Sequence, residues 1–199
     1  MLTFFHAPMS RSESIRWLLI ELGAPYETVF VDIRAEGGAP EDYRRIHPHK
    51  KAPAIRHDGV VIHERAAICI YLADAFPQAG LAPPMGDPMR GPYLTSLVYT
   101  DAVIDPALTA KLMGWTAPSL STSYGVFEDV LSHLETQLGR QPYAAGDRFT
   151  AADTQLASAV NWGLNVAQVL PARPVFQDYL ARISERAGFK RFMEGTQAP

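Results

Sequence analysis

Two ends of one stretch, Lys50 to Phe76, carry groups suited to holding a ligand. At its start Ala52 precedes Pro53, and a proline at the mouth of a strand cannot donate to the sheet ladder. If the Ala52–Pro53 bond is cis, the backbone of Ala52 turns outward with both polar groups free to pair with an extended, peptide-like ligand. At the far end the chain turns at Glu64-Arg65 into a helix, whose first amide N–H groups have no intrahelical partner and attract a carboxylate. One unit can therefore hold both ends of one ligand.

Two short strands and a helix frame these ends. Ala54 to Arg56 and Val60 to His63 are short and β-rich, and Asp58-Gly59 between them is a strong hairpin signal. Ala67, Ile68, Tyr71, Leu72 and Phe76 then recur at helical spacing up to Pro77. Upstream, Leu2 to His6 reads as a first strand, and Ser12 or Ser14 opens a helix with Ile15, Leu18, Leu19 and Leu22 on one face and Gly23 as its left-handed cap. Tyr26 to Asp32 is a second strand, and Glu41 to Ile46 a short polar helix that His47-Pro48 ends. The order is β-α-β-α-β-β-α.

Between Pro77 and Pro92 stand five prolines and three glycines, which exclude regular structure through most of the stretch. A linker is expected at 80–91, between a first domain of residues 1–79 and a second of residues 92–199. Beyond it strand signals vanish. Pro92 to Met113, Tyr124 to Leu138, Thr150 to Val169 and Val175 to Arg186 show helical periodicity, with a kink expected at Asp105-Pro106 and a last short helix at Phe189 to Met193. The expected fold class is α/β plus all-α, the second part a helical bundle.

Lys51-Ala52-Pro53-Ala54-Ile55 followed by Glu64-Arg65-Ala66-Ala67-Ile68 resembles the glutathione-binding half of the soluble glutathione S-transferase family. Far along the chain, Phe149-Thr150-Ala151-Ala152-Asp153 resembles the capping box that opens the central helix of that family's C-terminal domain, here in an acidic variant. The resemblance covers nearly the whole chain and implies a thioredoxin-like first domain and a homodimer. It also implies a site for glutathione as co-substrate.

A glutathione thiol titrates near 8.5 when unperturbed and must be made a thiolate. In the family a hydroxyl or a cysteine at the start of the first helix does this. Here Ser10 is the first candidate and Ser12 the second, while Arg11 either stabilises the thiolate directly or points to solvent. A capping role for these serines stands beside that reading. The segment holds neither tyrosine nor cysteine, which argues against a tyrosine-type member and against disulfide exchange through an enzyme cysteine. Ala52, fixed by Pro53, is expected to pair with the cysteinyl part and Lys51 to neutralise the glycyl carboxylate. Glu64 and Arg65 are expected to hold the γ-glutamyl end. The family's commonest residue at position 65 is serine; Arg65 either replaces that bond with a stronger charged one or weakens the site by its bulk. Met9, Tyr93, Tyr99, Met113, Trp115 and Trp162 are candidates for an electrophile pocket between the domains, and Asp101 for a contact to a neighbouring subunit's site.

The implied activity is conjugation of glutathione to small hydrophobic electrophiles. A glutathione-dependent peroxidase or reductase using only bound thiols, and a non-catalytic binding protein, are the other readings. A net charge of −3 implies no general affinity for nucleic acid or anionic membrane. No apolar run near the start is long enough to span a membrane and Met1 to Phe5 has no basic leader, so a cytoplasmic location is expected. The single cysteine, Cys69, lies in an apolar helix and reads as a core residue. His6, His47, His49, His57 and His63 lack carboxylate or cysteine partners at ligand spacing, so no metal site is expected.

Overall fold

The computed structural model describes residues 1–195. The first half holds β1 (Leu2–His6), α1 (Glu13–Leu22), β2 (Glu27–Phe30), a 3-10 turn at Glu41–Arg45, β3 (Ala54–His57), β4 (Val60–His63) and α2 (Arg65–Ala75). The sheet order is β2-β1-β3-β4, with β1 parallel to β2 and antiparallel to β3, and β3 antiparallel to β4. β2 is shorter than the Tyr26 to Asp32 run, and the polar helix at Glu41 is a 3-10 turn. Asp58 and Gly59 take φ 49° and 86°, the left-handed pair a tight hairpin requires.

The helical half holds α3 (Arg90–Tyr99), α4 (Asp105–Met113), α5 (Phe127–Arg140), α6 (Ala151–Asn161), α7 (Pro174–Ser184) and α8 (Ala187–Gly195). A π-helical turn at Thr100–Ile104 joins α3 to α4, so the expected kink at Pro106 is spread over the turn before it. The reason is local: Pro106 has no N–H for the Ala102 carbonyl, and the Ser123 hydroxyl donates to that carbonyl instead. The turn carries Asp101, and α4 carries Asp105. A second π-helical turn, at Trp162–Val166, extends α6. At the start of α6 the Thr150–Asp153 capping box is present, with the Thr150 amide donating to Asp153 at 2.9 Å.

One apolar core runs through both halves, from Leu2 and Phe4 of the sheet to Phe176 and Ile183 of α7. Trp17 of α1 shows how: it is buried with its ring centroid 5.8 Å from that of Phe149, 5.1 Å from Phe189 and 6.2 Å from Phe192. Cys69 is fully buried within this core, and burial pushes its thiol up to about 12. Among the described residues no helix is long and apolar enough to cross a membrane.

Candidate active site

A cavity of about 690 Å³ lies between the two halves. Lys51, Ala52, Pro53, Glu64 and Arg65 form one wall; Asp101, Asp105, Thr109, Trp115 and Tyr124 stand opposite, with Arg11 between. The Ala52–Pro53 bond is cis. The segment before it is tied to the 3-10 turn by Tyr43, whose hydroxyl donates to the Lys51 carbonyl at 3.1 Å. Lys50 turns its ammonium to the Gly37 carbonyl at 2.9 Å, while Lys51 is exposed and lines the cavity. Glu64 sits at φ 69° and ψ 122°, a conformation that costs a non-glycine residue about 1–3 kcal/mol, and swings the chain from β4 into α2. Its carboxylate stays exposed.

Arg65 lines the cavity but turns its guanidinium inward. Only 5% exposed, it donates through Nε to Asp101 at 2.9 Å and through Nη2 to both Asp101 and Asp105. Burial alone would lower its pKa, but the Asp105 and Asp101 carboxylates outweigh it and raise it. Its charge is therefore paired within the protein. Asp101 is engaged within the chain: besides Arg65 it accepts the Ala66 amide at 3.0 Å, satisfying one N-terminal N–H of α2. Asp105, which the sequence reading treated only as the start of a kink, also accepts Arg11 Nε at 2.6 Å. Arg11 stays exposed but is not unpaired, for it reaches Thr109 as well, at 3.3 Å, and lies 5.6 Å over the Trp162 ring. The signal for this network was present, since Asp101 and Asp105 stand four apart and share a helix face.

A model described as the glutathione S-transferase N-terminal domain matches residues 1–74, and one described as its C-terminal domain matches residues 106–182. The chain is 30% identical over 173 residues to an uncharacterised glutathione-S-transferase-like protein of Escherichia coli, YncG, covering 80% of this chain and 78% of that one. This chain belongs to the glutathione S-transferase family. It is 27% identical over 187 residues to glutathione S-transferase GstA of Escherichia coli, covering 92% of each chain. A sphingomonad glutathione S-transferase solved in complex with glutathione superposes with a TM-score of 0.81 at 26% identity, over 99% of this chain and 100% of that one. The fold fits glutathione conjugation.

In this family member the two candidate serines stand in unlike places. Ser12 is fully buried; its Oγ accepts the Ala7 amide at 3.1 Å, donates to the Ala7 carbonyl at 2.8 Å and lies 2.7 Å from His6 Nδ1. Ser10 is half-buried, donating to the Ala7 carbonyl at 2.7 Å and accepting the Ser12 amide at 3.1 Å. Of the two, Ser10 alone can meet a solute. His6 is buried too, and desolvation lowers its pKa against the opposing pull of Glu13.

Among the aromatic and methionine candidates, Trp115 lines the cavity. Tyr93 is fully buried in the core, where desolvation drives its phenol pKa up, and it does not face the cavity. Tyr99 packs edge-on against His133 of α5, with centroids 4.9 Å apart. Trp162 is partly buried against the core, and Met9 and Met113 are exposed. The sequence reading missed Tyr124, whose place in the wall depends on how the segment after α4 folds back. The histidines are also less scattered than their spacing implies, for the fold sets His47 and His63 beside the Glu64 carboxylate.

Proposed function

We propose that this chain is a glutathione transferase, which binds glutathione, keeps its thiol as thiolate and adds it to small hydrophobic electrophiles. The observation that carries this reading is the shared cavity, with a peptide-like edge at Lys51 to Pro53, the turn from Glu64 into α2, and Trp115 and Tyr124 opposite. In it the Ala52 backbone pairs with the cysteinyl unit and Lys51 neutralises the glycyl carboxylate. The Arg65 amide takes the γ-glutamyl carboxylate, and the Glu64 carboxylate accepts from the ammonium group.

Ser10 supplies the hydrogen bond to sulfur by turning its hydroxyl from the Ala7 carbonyl. A bond to a charged group contributes about 1.5–3 kcal/mol, enough to lower a thiol pKa by roughly 1–2 units toward neutrality. In this serine-type scheme the Arg65 side chain has a structural part only, because its charge is already paired. Residues 1–79 form the glutathione-binding half and 92–199 the helical half, the chain works as a cytoplasmic homodimer, and the electrophile sits against Trp115.

Calorimetric titration of glutathione into the purified protein at neutral pH tests the core of the reading. Saturable binding of one glutathione per chain is the expected result, followed by turnover of a haloarene. No binding at millimolar glutathione would remove the reading.

A further inference from the structure

We propose that His47, His63 and Glu64 form a binding site for a divalent transition-metal ion of the zinc type at the rim of the cavity. Each offers one donor atom, and the three donors lie within 4.8 Å of one another. Glu64 Oε1 is 3.6 Å from His63 Nδ1 and 3.9 Å from His47 Nε2. Ligands about 2.0–2.1 Å from a tetrahedral zinc ion stand roughly 3.4 Å apart, so the two Glu64 pairs need to close by a few tenths of an ångström and the two imidazole nitrogens, within 4.8 Å of one another, by at most about 1.4 Å. Two imidazoles and one carboxylate form a donor set that suits zinc and its neighbours and not the all-oxygen preference of calcium or magnesium.

The site has independent support. His63 Nδ1 is buried without a hydrogen-bond partner, an orphan that a metal ion would satisfy. His47 is buried with its ring centroid 5.0 Å from that of His63. Binding has one cost. His47 Nδ1 accepts the His49 amide at 3.2 Å, and this weak bond is lost when the ion takes Nε2 and the ring proton moves to Nδ1. His47 and Glu64 both line the cavity, so the fourth position of a tetrahedral ion opens toward it.

The test is a titration of Zn²⁺ into the full chain against a chromophoric chelator, with glutathione absent, so that failure of the glutathione site leaves the result readable. One ion per chain is expected, with a Kd of about 10 µM or tighter. His63→Gln and Glu64→Gln, both at partly exposed positions, are each expected to weaken it at least about tenfold while circular dichroism stays unchanged. Cys69→Ser is expected to leave it intact. Co²⁺ is expected to give the visible d–d bands of tetrahedral coordination in the parent chain and to lose them in His63→Gln. No saturable Zn²⁺ binding below about 100 µM, or a loss smaller than about tenfold in either variant, overturns the proposal.

Discussion

Arg65 is a long cation turned inward because two carboxylates wait there, and its removal leaves Asp101 and Asp105 close together without a counter-charge. Arg65→Ala is expected to lower stability by about 3–5 kcal/mol in urea denaturation. Arg65→Ser, though it installs the family's commonest residue, is expected to be destabilising too, since a hydroxyl cannot replace the guanidinium. At Ser10 the expected result is opposite in kind. Ser10→Ala should leave urea stability nearly unchanged and glutathione affinity within a few-fold, yet lower kcat/KM at neutral pH by roughly 10–150-fold, the loss of one hydrogen bond to a thiolate. The family resemblance drew attention to the Ser10 to Ser12 segment and put Ser10 before Ser12, but the sequence could not show that His6 and Ala7 close over Ser12 and leave Ser10 the accessible one.

Elements fixed by local chemistry were the readable ones. The Asp58-Gly59 hairpin, the Gly23 cap and the Thr150–Asp153 box all depend on residues within a few positions of one another. Pro106 marked a break in the sequence, but the π-helical form it takes at Thr100–Ile104, with Ser123 reaching back to the Ala102 carbonyl, was not readable. In α6 the buried Asp153 accepts from the Ala144 amide at 2.7 Å and the Thr150 amide at 2.9 Å, and from the Tyr179 hydroxyl at 3.0 Å. Desolvation nevertheless raises its pKa from 3.8 to about 6, the hydrogen bonds offsetting only part of the effect. The folded chain thus keeps a proton that the unfolded chain releases. The stability from this group is fully present below 3.8 and is lost as pH rises through about 6. Asp153→Asn removes the titration and one acceptor. Urea denaturation across pH 4 to 7 is expected to show the parent's advantage over this variant shrinking as pH rises.

Across the whole molecule, the order of a sheet half before a helical half followed from the change of hydrophobic period near Pro77, but the way the halves meet did not. Trp17 reads as one more apolar residue of α1, and only packing places it among Phe149, Phe189 and Phe192. The cavity between the halves was expected from the resemblance, while its charged wall was not. The proposed homodimer belongs to this scale as well: sedimentation at micromolar concentration is expected to give twice the chain mass, and a monomer would count against it.

Asp105 also limits how this protein can be recombined with its relatives. It accepts Arg11 from the start of α1 and Arg65 from the start of α2, so one residue of the helical half serves two residues of the sheet half. A hybrid carrying residues 1–79 of this chain on a helical half without acidic residues at those two places inherits two guanidiniums with no carboxylates to meet them, one of them buried. The halves are a matched pair, and an exchange is expected to yield soluble protein only when Asp101 and Asp105 travel with Arg11 and Arg65.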